Sequence, residues 1–173
     1  MVWFSFTVDA LYQKAAYDHS MSYWSDLYAG DATKLLSAWR DDEPLDGTDG
    51  VVASVNLPGI LPGPDGAMPN SPDLLTQLAC IVTAGVPVTF DASIVERVDE
   101  EERGAYRLSK QWGAIFAALD DAQCAEVARR WMRECDPGAD DGGGPLADLV
   151  RRIAGVCRQA GQRDASLIYT WTL

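Results

Sequence analysis

Residues 145–173, PLADLVRRIAGVCRQAGQRDASLIYTWTL, decide the fold class. Pro145 suits the first position of a helix, where a backbone N–H has no intrahelical partner to lose. Leu146, Leu149, Val150, Ile153 and Cys157 then recur at three- and four-residue spacing, the stripe of a 3.6-residue period. That stripe predicts a helix to about Ala160, ended by Gly161. Beyond it the period changes to two. Leu167, Tyr169, Trp171 and Leu173 alternate with Ser166, Ile168, Thr170 and Thr172, the pattern of a strand.

The chain opens in the same way. Val2, Phe4, Phe6 and Val8 alternate with Trp3, Ser5 and Thr7, and an aromatic on each face marks a central strand. The two end strands are expected to share one sheet and tie both termini down. Between them the pattern is mainly helical. Asp9 caps a helix expected to reach Tyr28, with Tyr17, Met21, Trp24 and Tyr28 as its stripe. Serines at 20, 22 and 25 weaken it, so a break near Ser20 is allowed for. Asp31 caps a short helix with Ala32, Leu35, Leu36 and Trp39 on one face. The acidic stretch 41–50 ends in DGTDG, a turn sequence, and Val51–Val55 reads as a strand.

Residues 57–72 hold five of the nine prolines and read as a loop. Ser71 and Pro72 start a helix with Leu74, Leu75, Leu78, Ile81 and Val82 inward, stopped by Gly85. Val86–Phe90 follows as a strand. Asp99 and Glu102 have capping-box spacing, which predicts a helix through Leu119 with Leu108, Trp112, Ile115 and Phe116 buried. Asp120 and Gln123 repeat the signal for a helix ending before Pro137. Its face is Cys124, Val127, Ala128, Trp131 and Cys135. Residues 138–144 form a Gly-rich connector. The expected fold is therefore α+β: one domain over 1–173, with a small mixed sheet that includes both end strands and about five to six covering helices. A three-layer α/β arrangement is the alternative.

Charge narrows the function. Fourteen Lys and Arg face 26 Asp and Glu, a net −12, so the basic footprint of a nucleic-acid binder is missing at the level of the chain. The surplus is uneven. Residues 1–91 carry three bases and twelve acids, whereas 92–173 carry eleven and fourteen. No basic leader or membrane-length apolar run is seen, so cytoplasmic location and no membrane contact are expected. The four cysteines, Cys80, Cys124, Cys135 and Cys157, have no CxxC spacing and sit in apolar stripes, as buried free thiols do.

Catalytic chemistry finds little purchase. His19 is the single histidine, which excludes HExxH, and no GxSxG elbow, P-loop or GxGxxG is present. No catalytic residue, metal ligand or cofactor is therefore assigned, and the chain reads as non-enzymatic. The alternative is a small-molecule binder or hydrolase-like enzyme with a pocket under the 57–72 loop, using His19. The acids Asp41, Asp42 and Glu43 follow a helix C-terminus, where negative charge is unfavourable, and so call for another reason. Tyr23, Trp24 and Asp26 add an aromatic-acidic patch. Tyr and Trp anchor interfaces, and flanking acids steer cationic partners. These six residues are the candidate partner-binding set. The expectation is a protein-binding module for a basic partner surface. In size and charge alone it resembles toxin-neutralising immunity proteins. A homodimer through Trp3, Trp39 and Trp171 is a further expectation.

Overall fold

A computed structural model describes residues 24–57, 78–83, 93–98, 103–135 and 144–172. Within them the chain is a single-domain α+β fold. Strands β1 (Trp24–Gly30), β2 (Val51–Leu57), β3 (Ser93–Val98), β4 (Arg103–Leu108) and β5 (Ser166–Thr172) form one sheet in the order β2-β1-β5-β4-β3. All four described pairings are antiparallel. The helices are α1 (Ala32–Arg40), α2 (Lys110–Ala117), α3 (Asp121–Cys135) and α4 (Gly144–Gln162), with a helical segment at 78–82. The expected strand Val2–Val8, the loop to residue 72 and the strand Val86–Phe90 lie outside the described residues.

The last strand is the middle of the sheet. Leu167, Ile168, Tyr169, Thr170 and Trp171 of β5 are all buried, because helices cover both faces. Consecutive residues show this directly. Leu27, Leu167, Tyr169 and Tyr106 belong to one apolar cluster with α2, α3 and α4. Tyr28, Ile168 and Ala105 belong to a second with α1. Side chains alternate across a strand, so the two clusters lie on opposite faces. The layering is thus helix, sheet, helices, although the strands run antiparallel. In the larger core Tyr106 stacks near its cross-strand partner Tyr169, ring centroids 6.2 Å apart. Trp112 packs on Phe116 at 4.2 Å. Each large buried apolar side chain contributes roughly 1.5–3 kcal/mol relative to exposure.

Caps explain the helix boundaries. Asp31 accepts from the N–H groups of Thr33 and Lys34 at 2.9 and 3.3 Å and starts α1. Asp120 and Gln123 form the expected capping box. The Gln123 N–H donates to Asp120 Oδ1, and the Asp120 N–H to Gln123 Oε1, both at 2.8 Å. The end of α4 differs from expectation. Gly161 stays helical, and Asp164 takes the left-handed position at φ 49°. The Ala165 N–H then reaches back to the Ala160 carbonyl at 2.9 Å, a Schellman closure.

Two further expectations need correction. Residues 103–108 are strand β4, and the helix that follows starts only at Lys110, capped by Ser109 Oγ on the Trp112 N–H at 3.1 Å. Gly104, Tyr106 and Leu108 share one face at period two. Leu108 and Trp112 also satisfy a helical spacing, which is why the helical reading extended too far toward the N-terminus. Pairing with β3 and β5 decides it. Trp39 and Trp171 do not share a surface: each is 6% exposed, and they sit in the two separate cores. With Trp3 outside the described residues, the expected dimer face loses two of its three members. Cys124 and Cys157 are buried free thiols, while Cys80 is half-buried and free.

Candidate functional site

The acids after α1 sit on a fixed corner. Asp42 adopts a left-handed φ of 58°, a position that Gly usually takes and Asp tolerates better than most residues. The Glu43 N–H closes the turn on the Ala38 carbonyl at 2.9 Å. Arg103 of β4 locks it from the side. Its Nη1 donates to Asp42 Oδ1 at 2.6 Å and its Nη2 to the Arg40 carbonyl at 3.3 Å. Its guanidinium lies 4.8 Å above the Trp39 ring. This accounts for an acid at the wrong end of a helix. Arg103 brings the cation that a helix C-terminus favours and one donor for its unpaired carbonyls.

Of the three acids, Asp42 is therefore held by the fold. Asp41 and Glu43 flank it, exposed; their backbone N–H groups bond to the Ser37 and Ala38 carbonyls, and their carboxylates have no hydrogen bond or ion pair among the described residues. The next turn adds Asp46, whose Oδ1 accepts from Ser54 Oγ at 3.3 Å, and Asp49, paired with Lys34 at 2.5 Å. DGTDG is a turn as expected. Gly50 takes φ 106° and its carbonyl accepts from the Asp31 N–H at 3.1 Å. A Cβ on Gly30 would lie 2.5 Å from that carbonyl oxygen, so the two strand ends can meet only through glycine.

The second half of the candidate set is rearranged. Tyr23 and His19 lie outside the described residues. Residues 24–30 are strand β1, so no helical face runs through Trp24, Asp26 and Tyr28. WSDLYAG fits either period. Backbone bonds to β2 and β5 decide for the strand, which places Leu27 and Ala29 on one face and Asp26 and Tyr28 on the other. Tyr28 is buried in the α1 core. Asp26 is half-buried and accepts from Asn56 Nδ2 at 2.8 Å. It is a structural acid beside the corner and not an exposed anchor.

Burial is the largest influence on Asp26 and pushes its carboxyl upward, with the Asp46 charge adding to it. Hydrogen bonds from Asn56 and Tyr28 oppose the shift, and the net direction is up. A carboxyl raised in the folded state binds protons more readily there than when unfolded. Ionised Asp26 therefore costs stability at neutral pH, and the cost disappears as pH falls through the raised value toward the unfolded one. Asp26→Asn keeps an acceptor for Asn56. We expect it to raise the urea midpoint at pH 7, with the gain shrinking at pH 4. A lower midpoint at pH 7 would contradict this assignment.

Comparison with protein-family models, curated proteins and solved structures finds no match.

The site is thus defined by its own geometry. Among the described residues no group of three or more His, Cys, Asp or Glu is placed to hold a metal ion. No described helix is long and apolar enough to cross a membrane. Much of the arginine in the second half is engaged within the helical layer. Arg129, Arg130 and Arg133 all face Glu126, at 3.0, 3.0 and 3.7 Å. Arg151 pairs with Asp148 and lies 3.9 Å from Asp121. Arg158 donates to the Leu119 carbonyl at 3.0 Å. The acidic corner lies at the α1 layer, across the sheet from those arginines. The residue that sequence reasoning missed is Arg103. In the sequence it was one basic residue in a stretch read as helix, which says nothing about which acid it meets.

Proposed function

We propose that the protein is a non-enzymatic binding module whose acidic corner, Asp41 and Glu43 beside Asp42, masks a basic surface on a partner protein, as an immunity-type protein masks a toxin. One observation supports the reading above the others. Two exposed carboxylates without partners among the described residues are carried on a backbone corner that an Arg–Asp pair and an aromatic ring hold in place. Charges on a rigid frame steer encounter without a further cost of ordering them.

The test is the double reversal Asp41→Lys with Glu43→Lys, which leaves the Asp42–Arg103 pair alone. A partner is first retained from a lysate of the source cells on immobilised wild-type protein, and its association is then timed. We expect the reversal to slow association about tenfold at low salt, with little change in dissociation. The wild-type on-rate should itself fall as salt rises. An on-rate indifferent to both the reversal and salt would sink the reading.

A further inference from the structure

The DGTDG stretch holds the same dipeptide twice, Asp46–Gly47 and Asp49–Gly50, in unlike surroundings. The backbone treats the two alike. Each pair forms the centre of a tight turn. The Thr48 N–H closes the first on the Leu45 carbonyl at 3.0 Å, and the Val51 N–H closes the second on the Thr48 carbonyl at 3.1 Å. Both glycines take positive φ, 90° and 106°. Neither glycine N–H has a hydrogen bond among the described residues. The side chains around them differ. Lys34 Nζ clamps the Asp49 carboxylate at 2.5 Å. The same lysine packs on Gly50, where an added Cβ would lie 3.0 Å from Lys34 Cδ and 3.3 Å from Asp31 Cβ. The Gly50 carbonyl is also tied to the Asp31 N–H at 3.1 Å. The Asp46 carboxylate, by contrast, is exposed and accepts one hydrogen bond among the described residues, from Ser54 Oγ at 3.3 Å. A Cβ added to Gly47 would meet nothing within 4 Å.

We propose that Asp46, rather than Asp49, is a site of spontaneous isomerisation, at which the chain reroutes through the aspartate side chain into an isoaspartyl link to Gly47. The Gly47 backbone nitrogen attacks Asp46 Cγ. The N–Cγ bond forms, the Cγ–OH bond breaks, and the hydroxyl leaves as water with the amide proton. The product is a five-membered succinimide, which water then opens. Cleavage of the original C–N bond leaves Gly47 joined to Cγ and frees the α-carboxylate. Cleavage of the new N–Cγ bond restores aspartate. Water is the only co-reactant, and mass and charge return to their starting values. Glycine favours the attack because no side chain crowds its nitrogen. Asp46 must also turn about its own backbone, so local opening of the turn sets the rate. A turn whose carboxylate is held by one hydroxyl opens more readily than one braced by an ion pair and by packing on α1. The ring closes from the neutral carboxyl, whose hydroxyl can leave as water. The hydrogen bond and charge of Lys34 hold the Asp49 carboxyl below the usual range, which further protects it. This site does not depend on the protein-binding reading, and its variants leave Asp41 and Glu43 untouched.

The test is to hold the full chain for several weeks in heavy-oxygen water at pH 6 and physiological temperature. Its peptides are then sequenced by electron-transfer fragmentation, which separates isoaspartate from aspartate residue by residue. Each passage through the ring replaces one carboxyl oxygen by a heavy one. Label and isoaspartate should accumulate at Asp46 at least about fivefold faster than at Asp49. In a synthetic peptide of residues 43–52 the two should isomerise at similar rates, so that the difference belongs to the fold. Lys34→Gln should quicken Asp49 about threefold and leave Asp46 as it was. Asp46→Glu should carry no label at that position, since the same attack would have to close a six-membered ring. The pairs Asp65–Gly66 and Asp141–Gly142 lie outside the described residues, and fragmentation reads their label separately. Equal rates at Asp46 and Asp49 in the folded chain, or a faster Asp49, would overturn the proposal. So would a peptide with the same bias as the folded chain, or an Asp49 rate indifferent to Lys34→Gln. The absence of label at Asp46 over a period in which the peptide acquires it would overturn it as well.

Discussion

Gly104→Ala should destabilise the protein by about 2–3 kcal/mol, which lowers the melting temperature by about 5–10 °C for a chain of this length. The reason is the neighbour across the β4–β5 ladder. A Cβ at this position would lie 2.7 Å from Trp171 Nε1, 2.8 Å from Cε2 and 3.0 Å from Cζ2. The indole is a rigid bicycle, 6% exposed, in the larger core. Its Nε1 is fully buried without a hydrogen-bond partner among the described residues, so packing is what positions the ring. It has nowhere to retreat. Gly155→Ala is the control. That glycine is helical and an added Cβ meets nothing within 4 Å, so the change should stabilise by about 0.5–1 kcal/mol. Thermal melts of the two variants should therefore move in opposite directions. A Gly104→Ala variant within about 0.5 kcal/mol of wild type would show that the strand ladder gives way more easily than the argument allows.

The larger loss is expected from Trp39→Ala, about 3–4 kcal/mol by urea unfolding. Trp39 is 6% exposed and belongs to the smaller core, on which α1 depends for its attachment to the sheet. It also carries the Arg103 guanidinium on its ring. Removing the ring leaves a cavity beneath α1 and withdraws the support that holds Arg103 against Asp42. Arg103→Ala should cost less, about 1–2 kcal/mol, because its ion pair with Asp42 is open to water on the aspartate side. The two losses should not add in the double variant, since one side chain rests on the other. Both single variants should also loosen the corner that presents Asp41 and Glu43. Additive losses would mean that the ring and the guanidinium act independently.

Several elements were legible without coordinates. The helix and strand of 145–173 were visible because two different periods follow one another. Asp31 and the Asp120–Gln123 pair announced helix starts because a cap is a local event within four residues. DGTDG announced a turn for the same kind of reason. The errors fell where a segment satisfied two periods. WSDLYAG and RGAYRL each place apolar residues at helical spacings as well as alternately, and neither has a local feature to choose between them. Their partners chose, from β2 and β5 for the first and from β3 and β5 for the second.

The candidate site divides along the same line. That 41–43 was an acidic run at the wrong end of a helix could be read directly, and so could the surplus of acid in the first half. Which of the three acids is spoken for could not. Arg103 reaches Asp42 across 61 positions of sequence, and only the sheet brings them together. The same holds for Asp26, whose neighbour Asn56 arrives from an adjacent strand.

Sequence alone, then, determined the local events: caps, turns, the stripes of α1, α3 and α4, the alternation of β5, and the sign and rough location of the charge. Tertiary structure alone decided that the last strand is the central one, that 24–30 and 103–108 are strands, that Trp39 and Trp171 belong to different cores, and which acids remain free. The physical reason is range. A cap or a helical stripe is completed by residues within one or two turns, whereas a strand's hydrogen bonds and the Arg103–Asp42 ion pair are completed by residues far along the chain.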